Sequence, residues 1–595
     1  MSTQSKHFLN TPESLVVDSL HGLCAVNPQV ALDVDNKILF IKNHDQQKVS
    51  LMCGGGSGHE PAHSGYVGEG MLTAAVCGSI FASPNASQVR RGIDLIDSEK
   101  GTVIIVKNYT GDILNFGLAK EQYAANHPAK AEKLRFVIVG DDVAVGRSQG
   151  SIVGRRGLAG TVLVYKIAGA FAQQGADLNA VDAISQWAAE NVVTIGSSLG
   201  HTHVPGTAPL QSNLADSELE IGMGIHNESG NKRESPLPSL SALVSKLLDY
   251  LTSSSDPDRN FLTFKGGDSV VLMVNNLGGV SVLELGGVVA ETQKQLEARG
   301  FNIARVLSGT FMTSLNMPGF SLTLLLLPRE GESNAFSASQ ILSLLDAKPR
   351  VPGWPWAHDS PPLPFKAQQV EGAKDEDSQV EITQIKAVDS TKFTSGIKRA
   401  TEALIANEAE ITRMDSIAGD GDCGLTLKAG AQAVLSLIKE GRINGDNIIS
   451  SLIAVSQVAE EAMGGTSGAL YSIFFSGLAQ GFQFQSIQSG STATLEQWKT
   501  ALGLALDKLF RYTRARPPSR TLVDPLAAFI NAINLNSPNT FADAVTAAAN
   551  AAEETKKLDA KAGRSAYVEG DALREQQVAD PGAWGVKTIL ESLGL

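Results

Sequence analysis

Val49-Ser50-Leu51-Met52-Cys53-Gly54-Gly55-Gly56-Ser57-Gly58-His59-Glu60-Pro61 joins a short apolar run to four glycines and a histidine. The run at residues 49–53 has the length of a buried strand, and the glycines end it in a loop over residues 54–59. The pattern recurs. Residues 102–107 lead into 108–112, 134–139 into 140–142, and 270–274 into 275–279, while 322–327 forms another such run. Between residues 45 and 330 these runs alternate with longer helical segments, which predicts an α/β architecture. A softer break at residues 190–220 divides it into two α/β subdomains, about 1–195 and 196–348. Ligands of open α/β sheets bind beyond the carboxyl ends of strands, so chemistry is expected in these loops.

Outward from this half the chain changes character. Prolines at 349, 352, 355, 361, 362 and 364 precede an acidic stretch at 371–377, so residues 349–385 read as an extended linker. From 386 to 595 the strand signal disappears. Phe393, Ile397, Ala400 and Leu404 follow helical spacing, as do Leu495, Trp498, Leu502 and Leu509, and Phe541, Val545, Ala548 and Ala552. All ten histidines precede residue 359, so the helical half must work with carboxylates, hydroxyls, arginines and backbone.

The whole chain has 595 residues, far more than one small module at roughly 150 residues per domain. A net charge of -13 argues against an extended nucleic-acid or anionic-membrane surface, which needs a dense basic face. Cys24, Cys53, Cys77 and Cys423 form no close pair, against a zinc knuckle or a disulfide framework. With no secretory signal and no apolar run of membrane-spanning length, a soluble cytoplasmic protein is expected. Glycine alone is out of line, at 58 residues, and its clusters mark the places to look.

Four constellations carry candidate chemistry. The glycines at 54–58 make neither a Walker A loop nor a dinucleotide fingerprint, yet they admit a small polar ligand beside His59. A tight turn whose histidine caps the next helix fits the same spacing. In Lys107-Asn108-Tyr109-Thr110-Gly111-Asp112, Lys107 and Asp112 flank a loop that suits a polyol, with Asp112 as base; a surface salt bridge is the alternative. His226 stands in Glu220-Ile221-Gly222-Met223-Gly224-Ile225-His226-Asn227-Glu228, either catalytic or structural. His201 and His203 lack a third ligand at fixed spacing and read as structural. Finally, Asp415, Asp420 and Asp422 lie among glycines in Asp415-Ser416-Ile417-Ala418-Gly419-Asp420-Gly421-Asp422, a hard oxygen donor set for Mg²⁺. Gly464-Gly465-Thr466-Ser467-Gly468 offers a helix start for phosphates.

In order and combination these motifs resemble the dihydroxyacetone kinases, in the ATP-dependent single-chain type that fuses a substrate-binding K domain to a nucleotide-binding L domain. The resemblance spans nearly the whole chain. It implies an α/β K domain over 1–348 and an all-α eight-helix barrel over 386–595. The residue matching His226 adds to the substrate carbonyl as a covalent hemiaminal, which separates dihydroxyacetone from glycerol. Gly56, Ser57, Gly58, His59, Ser83, Lys107 and Asp112 match the triose pocket, with Asp112 and His59 assisting deprotonation of the attacking hydroxyl. Asp415, Asp420 and Asp422 match the ligands of two Mg²⁺ ions. Cys423, Gly424, Leu425, Thr426, Thr466, Ser467, Thr521, Leu522, Arg564, Asp580, Pro581 and Gly582 match ATP contacts.

One departure is Cys423, where many bacterial members have histidine; with the fusion and the linker it favours exchangeable ATP. The resemblance further implies a homodimer, D-glyceraldehyde as second substrate, and cleavage of FAD with Mn²⁺ as an alternative activity of the L-domain site. A non-enzymatic triose sensor is a third reading, disfavoured by the three carboxylates.

Overall fold

The computed structural model describes residues 5–208, 214–331, 335–368, 383–485, 490–535, 540–561 and 576–594. It divides into two compact units, Met1–Ala373 and Lys374–Leu595.

The first unit is built on two six-stranded sheets. One contains β1 (Val30–Asp33), β2 (Ile38–Ile41), β3 (Ser50–Ser57), β4 (Ala74–Ile80), β5 (Thr102–Lys107) and β6 (Leu134–Val139), in the order β1-β2-β4-β3-β5-β6. The other contains β7 (Val192–Ser198), β8 (Leu219–Ile221), β9 (Lys232–Glu234), β10 (Ser269–Asn276), β11 (Asn302–Gly309) and β12 (Gly319–Leu326), in the order β11-β10-β12-β7-β8-β9. Strand β5 is buried at every position and lies parallel to β3 and β6. Its apolar run Val103-Ile104-Ile105-Val106 suits a strand covered on both faces, and each such side chain contributes ~1.5–3 kcal/mol of burial. The helix Gly160–Gln173 is apolar nearly all round and packs against strands of both sheets. Helices Ala86–Leu95 and Thr110–Asn126 cover the far face of the first sheet, and Leu240–Thr252 and Val282–Ala298 that of the second.

The structure differs from the sequence expectations in three places. The loop expected from residue 54 begins later, because Gly54–Ser57 continues β3 and pairs with β4. A Cβ at Gly54 would lie 2.2 Å from the Val76 carbonyl oxygen, so the missing side chains let the strands close rather than ending them. Second, the stretch expected as linker from residue 349 is docked. Arg350 donates its N–H to the Glu69 carbonyl at 2.9 Å and Gly353 to that of Gly65 at 2.8 Å, while Trp354 packs on the core. Prolines here fit an extended strap that needs few backbone donors of its own.

The third difference is in the second unit, where residues 385–386 and 491–492 form a parallel ladder, β13 and β14, too short to leave a period. Its described α-helices are Ser390–Ala406, Glu408–Ala418, Cys423–Lys439, Ile448–Val458, Gly465–Gln483, Leu495–Tyr512, Val523–Ile533, Thr540–Glu554 and Pro581–Leu593. The first two abut at Asn407, which ends one and starts the other. Phe474, Leu478, Trp498, Leu502, Phe529 and Leu590 are among the side chains around an apolar cavity of about 470 Å³. No described helix is long and apolar enough to cross a membrane.

Candidate functional site

In the first unit the two sheets bring His59 and His226 together. His59 follows β3, and its Nδ1 lies 2.8 Å from the Thr313 carbonyl oxygen of the loop before β12. Its Nε2 lies 3.0 Å from His226 Nε2. The turn after β8 carries His226, whose Nδ1 is 2.9 Å from Glu228 Oε1 and whose backbone N–H donates to Glu228 Oε2 at 2.9 Å. Phe81 stacks on His59 with ring centroids 5.2 Å apart, and Phe81 and Tyr109 both meet the His226 ring edge-on.

Asp112 stands in the first turn of the helix Thr110–Asn126 and is buried, not on a surface salt bridge. Ser83 donates its hydroxyl to Asp112 Oδ1 at 2.5 Å. Burial pushes the Asp112 carboxyl above the ordinary aspartate range, although Lys107, Ser83 and His226 oppose the shift. Lys107 is fully buried at the end of β5, and its Nζ has no hydrogen-bond partner among the described residues. Burial lowers its ammonium from the usual lysine value, against the attraction of Asp112. His59 is pushed well below the usual histidine value, first by burial and then by Lys107 and His226. An unpaired buried ammonium of this kind costs free energy unless a ligand oxygen completes it.

Gly56 and Gly58 pack against the Phe81 segment, where a Cβ on Gly56 would lie 2.7 Å from the Ala82 nitrogen. Ser57 turns its hydroxyl to the Gly78 carbonyl at 2.9 Å. His203, read as structural, is buried with its Nδ1 2.8 Å from His7 Nε2.

Sequence reasoning passed over the neighbours that hold this arrangement. Arg156 donates Nε to Asp142 Oδ2 at 2.7 Å and a second nitrogen to the Gly222 carbonyl at 2.6 Å, tying the His226 turn to the loop after β6. Glu228 had a visible signal, a carboxylate two residues from His226. Arg156 and Thr313 had none, because 70 and 87 residues separate them from His226.

In the second unit, ligand atoms of Asp415, Asp420 and Asp422 lie within 4.8 Å of one another. Asp415, near the end of the helix Glu408–Ala418, is buried, and its Oδ2 accepts the N–H groups of Asp422 and Cys423 at 2.9 Å each. Asp420 and Asp422 are exposed on the turn before the helix Cys423–Lys439. Gly421 supplies the turn with a φ of +82°, and Gly424 lets the next helix approach, since a Cβ there would lie 2.3 Å from the Glu408 carbonyl oxygen. Three carboxylates so close, offering only hard oxygen donors, fit Mg²⁺.

The other expected nucleotide positions gather at the same end. Cys423 is buried beside Ser467 and pushed up to about 12, first by burial and then by Asp415, Asp580 and Asp422. Thr466 and Ser467 open the helix Gly465–Gln483, whose Gly464 N-cap supplies no side-chain acceptor. Thr521 and Leu522 precede the helix Val523–Ile533, their loop fastened by the Asp524 carboxylate to the N–H groups of Ser519 and Thr521 at 2.8 Å each. Asp580 caps the helix Pro581–Leu593 through the Ala583 N–H at 2.8 Å, and a Cβ on Gly582 would meet Leu522 at 3.3 Å. Burial raises Asp580 to about 6. Leu425 is exposed and Thr426 lies in the first turn after the carboxylates. Arg564 lies outside the described residues.

Residues 21–352 match the Dak1 domain and residues 417–594 the DAK2 domain. The chain is 40% identical to a Komagataella pastoris protein named dihydroxyacetone kinase, over 99% of this chain and 98% of that one. It is 36% identical to a Homo sapiens protein named triokinase/FMN cyclase, over 99% of each. Among solved structures it resembles the dihydroxyacetone kinase from C. freundii in complex with AMP-PNP and Mg²⁺, at 30% identity and a TM-score of 0.63, covering 99% of each chain. The chain therefore belongs to the dihydroxyacetone kinase family, as a single chain in which Dak1 and DAK2 domains are fused.

Proposed function

We propose that the chain transfers the γ-phosphoryl group of ATP to dihydroxyacetone, with the triose held by residues 1–348 and the nucleotide by residues 386–595. The observation that carries this reading is the gathering of the partly buried His226 with the buried His59, Asp112 and Lys107, whose Nζ has no hydrogen-bond partner among the described residues. His226 Nε2 adds to the carbonyl carbon and holds the substrate as a hemiaminal, an anchor that glycerol cannot form. Lys107 donates to a substrate oxygen. Asp112, a stronger base for being buried, takes the proton of the terminal hydroxyl that attacks phosphorus, with His59 beside it.

Asp415, Asp420 and Asp422 would hold Mg²⁺, which supplies neutralising charge for the ATP phosphates. The uncapped start of the helix Gly465–Gln483 presents N–H groups to phosphate oxygens, in place of a P-loop lysine. Thr521, Leu522, Asp580, Pro581 and Gly582 flank the same end and are assigned, with Cys423 to Thr426 and Arg564, to the nucleotide.

The test is to incubate the protein with Mg-ATP and dihydroxyacetone and to measure the phosphorylated triose. Absence of product, or undiminished product from Asp420→Ala, would refute the assignment. D-glyceraldehyde as a further acceptor, and Mn²⁺-dependent cleavage of FAD to AMP and cyclic FMN, form a second reading, favoured by the human relative named triokinase/FMN cyclase. Assays with both compounds decide it. We also assign the protein a homodimeric state, from the resemblance alone, which sedimentation equilibrium checks. The clustered carboxylates speak against a triose sensor, which has no use for a metal site.

A further inference from the structure

Imidazole does not by itself decide which of its nitrogens carries hydrogen; its partners do. Around His226 both partners are visible. Nδ1 faces Glu228 Oε1, and a carboxylate only accepts, so Nδ1 carries a hydrogen. The other carboxylate oxygen takes the His226 backbone N–H, so Glu228 grips the residue at two points. Gly224 makes room for this grip, since a Cβ there would lie 2.0 Å from Glu228 Oε2. Burial works against a charge on Glu228, but the hydrogen bond and charge of His226 outweigh it and hold the carboxyl at about 2.

Nε2 presents a second constraint. It lies 3.0 Å from His59 Nε2, and His59 Nδ1 faces the Thr313 carbonyl, which also only accepts. His59 thus carries its hydrogen at Nδ1 and a lone pair at Nε2. Two lone pairs 3.0 Å apart cannot hydrogen-bond, so one further proton sits between the rings. His59 is fully buried near Lys107 and resists a charge, whereas His226 rests on the Glu228 carboxylate. Of the two rings, His226 with its facing carboxylate is the better placed to hold that proton.

We propose that Glu228 is a positioning residue that keeps hydrogen on Nδ1 of His226 and neutralises the positive ring both before and after substrate adds. The proposal rests on the hemiaminal reading given above. Its balance closes within the site. The Nε2–H bond breaks as Nε2 bonds to the carbonyl carbon, and the C=O π pair becomes a C–O–H bond with that proton. The ring passes from protonated to N-alkylated imidazolium, its charge unchanged, and Glu228 remains a carboxylate throughout. Release runs the same steps backwards.

The experiment uses the full chain labelled with ¹⁵N-histidine, with His226→Ala to identify the His226 signals. In the wild type without substrate, both His226 nitrogens are expected to carry hydrogen. In Glu228→Gln that signature is lost, and formation of the dihydroxyacetone adduct, trapped and read by intact mass, slows by on the order of 10²-fold or more. The rate of turnover falls with it, while Mg-ATP binding is unchanged, and a thermal melt and circular dichroism matching the wild type show that the first unit is folded. Glu228→Asp, which keeps the charge at shorter reach, recovers part of the rate.

A Glu228→Gln protein with unaltered His226 signals and adduct formation within about twofold of wild type overturns the proposal. Should that variant fail to fold, the wild-type spectrum decides alone, and a hydrogen-free Nδ1 overturns it. A wild type that forms no adduct yet shows both nitrogens protonated refutes the hemiaminal reading while supporting the placement of charge by Glu228.

Discussion

His59, Lys107 and Asp112 in the first unit are buried, whereas Asp420 and Asp422 in the second are exposed. The two regions bring their reacting groups to hand in opposite ways. The α/β unit withdraws a few ionisable groups from water, so each one's proton affinity is set by its neighbours. The helical unit keeps two of its three clustered carboxylates, Asp420 and Asp422, at the surface, where repulsion is tolerable until a cation offsets it. Asp415, Asp524 and Asp580 are buried there, and each is anchored by backbone N–H groups. The proposed covalent recognition of a small triose calls for the first arrangement, and the proposed exchange of a metal–nucleotide complex for the second.

The most severe way to break this comparison is to remove the buried carboxylate proposed as the base. Asp112→Asn keeps the shape but cannot take a proton, and turnover is expected to fall about 10²- to 10⁴-fold with Mg-ATP affinity unchanged. Steady-state kinetics with titration of nucleotide binding checks both halves of the statement. A variant that lost nucleotide affinity equally would show that the two regions are not separable.

Asp415→Asn comes next. It weakens the metal site, and binding is expected to fall about 10- to 100-fold, in calorimetric titrations with Mg²⁺ and ATP. Because two of the three carboxylates are exposed, the wild-type affinity should also weaken steadily with added salt, while adduct formation at His226 should not.

Asp580 sharpens the contrast through stability. Its folded value of about 6 lies above the 3.8 of an ordinary aspartate. Between these two the folded chain holds a proton that the unfolded chain has lost, so stability falls as pH rises through that window and stays lower above 6. Asp580→Asn keeps an N-cap without the buried charge. It is expected to stabilise the metal-free protein by ~1–3 kcal/mol at pH 7.5 and hardly at all at pH 4, in thermal melts at the two values. An equal gain at both would show that the charge is not the cause.

The smallest effect belongs to Ser83. Its hydroxyl opposes the upward shift of Asp112, so Ser83→Ala should raise the Asp112 carboxyl further. The acid limb of the kcat/KM profile, expected above the ordinary aspartate range, should move to higher pH still. A limb that stays in place would mean that another group titrates there.

Much of this was legible in the residues. The strands β5 and β6 were bounded correctly from apolar runs, and helical periodicity placed the segments around Phe393, Leu495 and Phe541. The glycine clusters led to both candidate sites, because backbone must come close wherever Gly424 meets Glu408 or Gly56 meets Phe81. Less legible were β4, which mixes Ala, Cys, Gly and Ser, and the two- and three-residue strands, which carry no period. The strap after residue 349 misled because proline marks extended chain whether or not it is docked.

By itself the sequence determined the α/β-then-helical order, the motifs and the chemical types available, since these depend on local spacing and composition. Only the tertiary structure decided which of those groups meet. His59 and Thr313 are 254 residues apart, yet the contact between the two sheets orients one imidazole, while Glu228 orients the other. Proton affinity and nucleophilicity are properties of such neighbourhoods. A linear pattern can nominate a histidine, but burial, a facing carbonyl and a paired carboxylate determine what it does.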